Sequence, residues 1–142
     1  MEMQLSNRPA GGRPAAGEFS GKRVLVTGGT KGIGEAIVRR LREAGAMVFA
    51  TARSAPARDA AADLFLAADL RTAAGAASVA GQALERLGGI DILVNNVGGA
   101  SAPGGGHAAL SDDHWRDALE ANLMAAVRLD RALLPAMLDQ GS

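Results

Sequence analysis

Residues 23–34, RVLVTGGTKGIG, run a short apolar stretch directly into glycines at 28, 29, 32 and 34. Within the stretch at 23–27, the residues after Arg23 are apolar or β-branched at successive positions, the pattern of a strand buried on both faces. Ile33 and, in the following GEAIVRRLREAGA, Ile37 and Leu41 fall four apart on one helical face. Arg39, Arg40, Arg42 and Glu43 fall mostly elsewhere, and Gly45 stands where a helix end favours a left-handed residue. Strand, glycine turn and helix in that order aim backbone N–H groups and the positive end of a helix dipole at an anion. A side chain in such a turn would hold phosphates off the backbone or block close helix-to-strand packing. A tight turn without a ligand is the alternative for the glycines alone. A P-loop is excluded, because no glycine-lysine-hydroxyl triplet closes the motif and Lys31 lies inside the loop.

The same alternation continues. MVFAT (47–51), LFLAA (64–68) and IDILVNN (90–96) read as further strands, and TAAGAASVAGQALERLGG as a helix weakened by Gly75 and Gly81. Alternating strands and helices imply right-handed crossovers and a parallel sheet covered on both faces. The expected fold is therefore α/β, a Rossmann-type doubly wound sheet. VGGASAPGGGHAAL forms a loop at the carboxyl ends of the strands, where open α/β sheets bind ligands. Ser111, followed by Asp112 and Asp113, starts a helix expected to run past Leu133, with Pro135 kinking or loosening its last turns. No strand pattern follows, so the sheet is expected to be truncated after its fourth strand and the next helix. Residues 1–20, mixed Gly, Pro, Arg and Ala, read as a mobile tail, and 21–142 as one incomplete domain.

Composition narrows the partners. Fifteen basic residues balance 15 acidic ones, so no net field favours a nucleic acid or an anionic membrane. The absence of cysteine excludes disulfides and thiolate metal sites, and no stretch has the apolar length of a signal peptide or a membrane span. A cytoplasmic protein with a small-molecule partner is expected. The 142 residues contain no tyrosine and only two lysines, Lys22 and Lys31.

Dinucleotide specificity is read at the end of the second strand, where an acid holds the ribose 2′-hydroxyl of NAD and a base accepts the 2′-phosphate of NADP. Thr51, Ala52 and Arg53 offer no carboxylate there. Arg53 and Lys31 can converge on one dianion, the guanidinium as a planar fork and the ammonium as a point charge. The alternative for each is a solvated charge. Together they predict NADP(H) in preference to NAD(H).

From about Phe19 onward the chain resembles the short-chain dehydrogenase/reductase family. TGGTKGIG is similar to its cofactor loop, through Thr27, Gly28, Gly32 and Gly34, with Gly29, Thr30, Lys31 and Ile33 between them. ADL resembles the acid-containing turn after the third strand, and NNVG (95–98) the family's N-N-x-G motif. Asn122 falls where the family places a helix asparagine. The resemblance implies that Asp69 and Leu70 face the adenine, and that Asn95, Asn96, Val97 and Gly98 flank the adenosine and steady the sheet. For Asn122 it implies a water-mediated proton relay from a buried mid-helix position. Asp69 could instead cap the helix after it. In the family a tyrosine donates a proton to the substrate carbonyl, a lysine lowers its pKa, and a serine positions the substrate oxygen. The serine and the Tyr-x-x-x-Lys pair are expected beyond Ser142, so the chain alone is expected to be inactive.

The implied activity is carbonyl reduction or secondary alcohol oxidation by hydride transfer, in a homodimer or homotetramer of the full-length protein. The rivals are a non-catalytic NADP(H)-binding sensor or regulatory module, and an incomplete product without function. His114 and Asp117 share a helix face but have no third ligand at metal spacing, so no metal site is expected. His107 reads as an exposed loop residue and Trp115 as helix packing.

Overall fold

The computed structural model describes residues 17–56, 60–99 and 101–141. Four parallel strands form one sheet in the order β3-β2-β1-β4: β1 Arg23–Thr27, β2 Met47–Ala52, β3 Leu64–Ala67 and β4 Ile92–Val94. Helix α1 (Gly32–Glu43) joins β1 to β2, and α2 (Ala73–Leu87) joins β3 to β4. Helix α3 (Asp112–Leu119) then passes through a π-helical turn, Glu120–Met124, into α4 (Ala125–Gln140). This is the expected Rossmann-type arrangement. The chain builds outward from β1 to β3, crosses back, and lays β4 on the other side of β1, which opens a crevice at that reversal.

The strands read as nearly continuous apolar runs because alternate residues enter two cores. Val24, Val26, Val48 and Ala50 pack with Val38 and Leu41 of α1. Leu25 and Phe49 point the other way, into Ala76, Val79 and Ala83 of α2 and Leu129 and Leu133 of α4. A strand exposed on one face would have alternated with polar residues. Gly45 has a φ of +94°, as expected past the end of α1.

Several expectations need correction. Ile33 does not share the buried face of α1; it is 75% exposed, and Gly34, Val38 and Leu41 are the buried positions. It lies in the first turn of α1, where the fourfold apolar spacing does not coincide with the buried face. β4 is shorter than 90–96, since Asp91 turns to Arg23 and the Asn96 N–H goes to the Thr27 hydroxyl instead of a ladder partner. The single long helix is two helices joined by the π-helical turn, and it continues through Pro135 to Gln140. The expected tail at 1–20 lies outside the described residues up to 16. Its residues 17–20 form a turn in which the Phe19 N–H donates to Ala44 O at 2.9 Å and the ring packs against the α1 core.

The amino ends of β1 and β4 meet the carboxyl ends of α2 and α4 in one polar knot. Asp91 Oδ2 accepts the Arg23 backbone N–H at 2.8 Å and its Nε at 2.9 Å, while Arg23 Nη2 reaches Asp91 Oδ1 at 2.8 Å. Arg23 also donates to Gly88 O at the end of α2 and to Gln140 Oε1 at the end of α4. These bonds to the Arg23 side chain, then to its backbone N–H, hold the Asp91 carboxyl down at about 2. Asp91→Ala is expected to lower the unfolding free energy by about 1.5 to 3 kcal/mol at pH 7, measured by urea denaturation. Because the folded-state pKa is depressed, this contribution is complete above 3.8 and is lost as pH falls through about 2. The gap between native and variant chains is therefore expected to close over that range.

Candidate cofactor site

The crevice between β1 and β4 is fixed by Thr27, the last residue of β1. Its buried hydroxyl accepts the backbone N–H groups of Asn96 and Val97, both at 2.9 Å, and donates to Val94 O at 3.3 Å. Asn96 returns the tie, its Nδ2 donating to Thr27 O at 3.0 Å and Gly28 O at 3.3 Å. The N–H groups of Gly28 and Gly29 donate to Thr51 O at the end of β2, so the glycine loop is held from both neighbouring strands. Gly28 takes a φ of +67°, which a residue with a side chain rarely adopts. A Cβ on Gly34 would overlap the Gly28 carbonyl oxygen and lie 2.5 Å from Asn96 Nδ2, so α1 can start against β1 only with glycine there.

The start of α1 is open. Lys31 is its N-cap residue, in extended conformation, and makes no side-chain cap bond. By contrast Thr72 caps α2 by accepting the Gly75 N–H, and Ser111 caps α3 in a capping box with His114. The first-turn N–H groups of an uncapped helix lack intrahelical partners and lie at the positive end of the dipole. Gly32 has open space where a side chain would project, and Lys31 and Ile33 are exposed beside it, while Thr30 is half-buried. The backbone donors and the clearance fit a pyrophosphate.

Arg53 directly follows β2, exposed, and neither it nor Lys31 has an ion pair among the described residues. Asp69 lies past β3 at the same edge. It does not cap α2, a role taken by Thr72, and is paired with Arg71 at 2.6 Å. The Leu70 side chain is buried in the core, so only its backbone can face a ligand. Past β4, Asn95 Nδ2 donates to Asp130 Oδ1 at 2.8 Å, Val97 packs against the α2 and α4 core, and Gly98 is exposed beside Asn122.

Asn122 sits within the π-helical turn and is exposed, not buried as expected. Its Nδ2 donates to Gly99 O at 2.7 Å and Ala118 O at 2.8 Å, and its Oδ1 accepts the Gly99 N–H at 3.0 Å. The widened turn and these bonds explain how asparagine fits there: its side chain satisfies backbone groups of the loop after β4. A Cβ on Gly98 would come within 2.8 Å of Asn122 Oδ1. Trp115 is not helix packing either; it is 47% exposed, and the His107 ring meets it edge-on at 5.8 Å. His114 accepts the Ser111 N–H through Nδ1 at 3.0 Å. Sequence reasoning passed over Asp130 and Arg71, because neither belongs to a motif and their partners are set by tertiary placement. Among the described residues no cluster of His, Cys, Asp and Glu could hold a metal ion.

The sequence profile described as short chain dehydrogenase matches residues 22–142. The chain belongs to that family. The chain is 35% identical over 126 residues to the 3-oxoacyl-[acyl-carrier-protein] reductase FabG of Escherichia coli, covering 84% of this chain and 51% of that protein. It is similar in structure to an NADH-dependent reductase, A1-R′, complexed with NAD, with a TM-score of 0.81 and 27% identity, covering 88% of this chain and 56% of that one. It is also similar to L-sorbose reductase from Gluconobacter frateurii, complexed with NADPH and L-sorbose, with a TM-score of 0.79 and 35% identity, covering 86% and 49%. The chain spans about half the length of the curated relatives it matches.

Thr27→Val keeps the shape but removes the acceptor for two backbone N–H groups. It is expected to cost about 1 to 3 kcal/mol for each donor left unpaired, read by denaturant unfolding, with Thr27→Ser retaining most of the stability.

Proposed function

We propose that this chain carries the cofactor-binding part of an NADP(H)-dependent oxidoreductase that reduces a carbonyl group or oxidises a secondary alcohol. The observation that carries the reading is the uncapped start of α1 with Lys31 at its cap position, at the same carboxyl end of the sheet where Arg53 follows β2 without an ion pair among the described residues. The similar structures hold either NAD or NADPH, so the preference for NADP(H) rests on this chain's own cations.

In this reading the cofactor, when bound, supplies or accepts a hydride. The loop Gly28–Gly34 binds the pyrophosphate through its backbone donors. Lys31 and Arg53 bind the 2′-phosphate, Asp69 and the Leu70 backbone face the adenine, and Asn95, Asn96, Val97 and Gly98 line the adenosine side. Asn122 serves the proton relay. Both of its amide hydrogens are committed to Gly99 and Ala118, but Oδ1 accepts one hydrogen bond, from the Gly99 N–H, and has a second lone pair for a water. The sequence contains no tyrosine, so the proton donor that the family uses is not among these 142 residues. Substrate contacts and pairing into a homodimer or homotetramer belong to the full-length protein. The cysteine-free sequence fits a reducing, cytoplasmic setting, and among the described residues no helix is long and apolar enough to cross a membrane.

Arg53→Ala in the full-length protein is expected to weaken NADPH by about 1.5 to 3 kcal/mol while leaving NADH nearly unchanged, measured by fluorescence titration. Equal losses for both would remove the 2′-phosphate assignment. The 142-residue chain alone is expected to bind cofactor without turning over a carbonyl substrate; NADPH consumption by it would overturn the division of labour. NADPH binding without hydride transfer by the full-length protein would favour the non-catalytic module.

A further inference from the structure

Arg53 and Asp69 leave the sheet side by side. Ala52 pairs with Ala67, and the Ala68 N–H donates to Ala52 O at 2.9 Å, so the cation is one residue and the carboxylate two residues past paired positions. Asp69 is acidic enough to stay charged: its carboxyl is held low first by the Arg71 side chain, then by the Arg71 backbone N–H and charge, and last by the charge of Arg53. A free carboxylate at this edge would compete with any anionic ligand for Arg53 and repel that ligand directly.

Arg71 prevents this. Its Nε contacts Asp69 Oδ1 at 3.0 Å and Oδ2 at 3.1 Å, its Nη2 contacts Oδ2 at 2.6 Å, and its backbone N–H donates to Oδ1 at 3.0 Å. Both carboxylate oxygens are thus occupied by one residue, in the forked geometry that only a guanidinium offers. The turn that carries the pair is fixed. Thr72 donates to Asp69 O from its N–H and hydroxyl, and a Cβ on Gly75 would overlap that same carbonyl. Arg128 of α4, itself paired with Glu120, donates to Arg71 O at 2.8 Å.

We propose that Arg71 is a positioning residue for cofactor specificity: by occupying the Asp69 carboxylate it leaves the Arg53 guanidinium free for a phosphomonoester dianion on the adenosine ribose. The inference rests on the NADP(H) reading above. Arg71 touches no cofactor in this role; it acts through Asp69. The Arg71–Asp69 pair is solvent-accessible, so its effect is graded and screened by salt.

The test is the ratio of NADH to NADPH dissociation constants in the full-length protein, by fluorescence titration at low salt. Arg71→Gln removes the charge while keeping a polar, shorter side chain; it is expected to weaken NADPH about three- to tenfold with NADH changed less than about twofold. Arg71→Ala should shift the ratio the same way. Adding Asp69→Asn to either variant removes the released carboxylate and should restore the ratio, even if both cofactors bind more weakly for lack of an adenine contact. An equal loss for both cofactors in the single variants, or a ratio not restored by Asp69→Asn, overturns the proposal. Arg53→Ala separates the two levels. If it leaves the ratio unchanged, the NADP(H) reading itself fails; if it collapses the ratio while the Arg71 variants do not, only the role of Arg71 fails.

Discussion

A single buried hydroxyl holds the crevice in shape. Thr27 ends β1, and at that point the chain must stop pairing and open toward a ligand without abandoning polar backbone groups in the interior. Its Oγ1 satisfies two N–H groups of the segment leaving β4 and donates to a third backbone group, so the two strand ends part at a fixed distance. Asn96 locks the same junction from the other side through the carbonyls of Thr27 and Gly28. The glycine loop, the start of α1 and the loop that Asn122 clamps are all placed relative to this junction.

Function and stability are divided between the two ends of the sheet. At the amino end the polar groups are consumed among themselves, as the Arg23, Asp91, Gln140 and Gly88 contacts show. At the carboxyl end donors and cations stand open, at the N-terminus of α1 and at Arg53, and the Asp69 carboxylate beside Arg53 is paired with Arg71. The closely packed two-sided core between them carries these open charges, because each face of β1 and β2 is covered by helices and neither depends on the site for its burial.

Much of this was legible in the sequence. Apolar runs located the four strands to within a few residues, the capping pattern placed Ser111, and the glycine loop marked the crevice. Failures came where the environment outvoted periodicity. Ile33 fits the apolar spacing of α1 but is exposed in its first turn, where Gly34 is the buried position. Gly75 read as a helix weakener, yet in the first turn of α2 its missing side chain makes room for Asp69 O. Asn122 looked like a buried mid-helix polar group, whereas a π-helical turn exposes it and occupies it with loop backbone. His114 was weighed as a ligand and serves as half of a helix cap. Each outcome depends on contacts made by residues far away or on local geometry that apolar spacing does not encode.

The Arg23 knot also bears on kinetics. Its bond to Gln140 links positions 117 apart in sequence, closing nearly the whole described chain into one loop. The loop-closure entropy of such a contact is recovered only after the intervening strands and helices are in place. The contact to Gln140 therefore forms late and is absent from most of the transition state, so its strength acts on the unfolding arm of a denaturant chevron and scarcely on the folding arm. The knot works as a latch: it governs how long the assembled sheet survives, while the speed of assembly is set by the local strand and helix contacts it fastens.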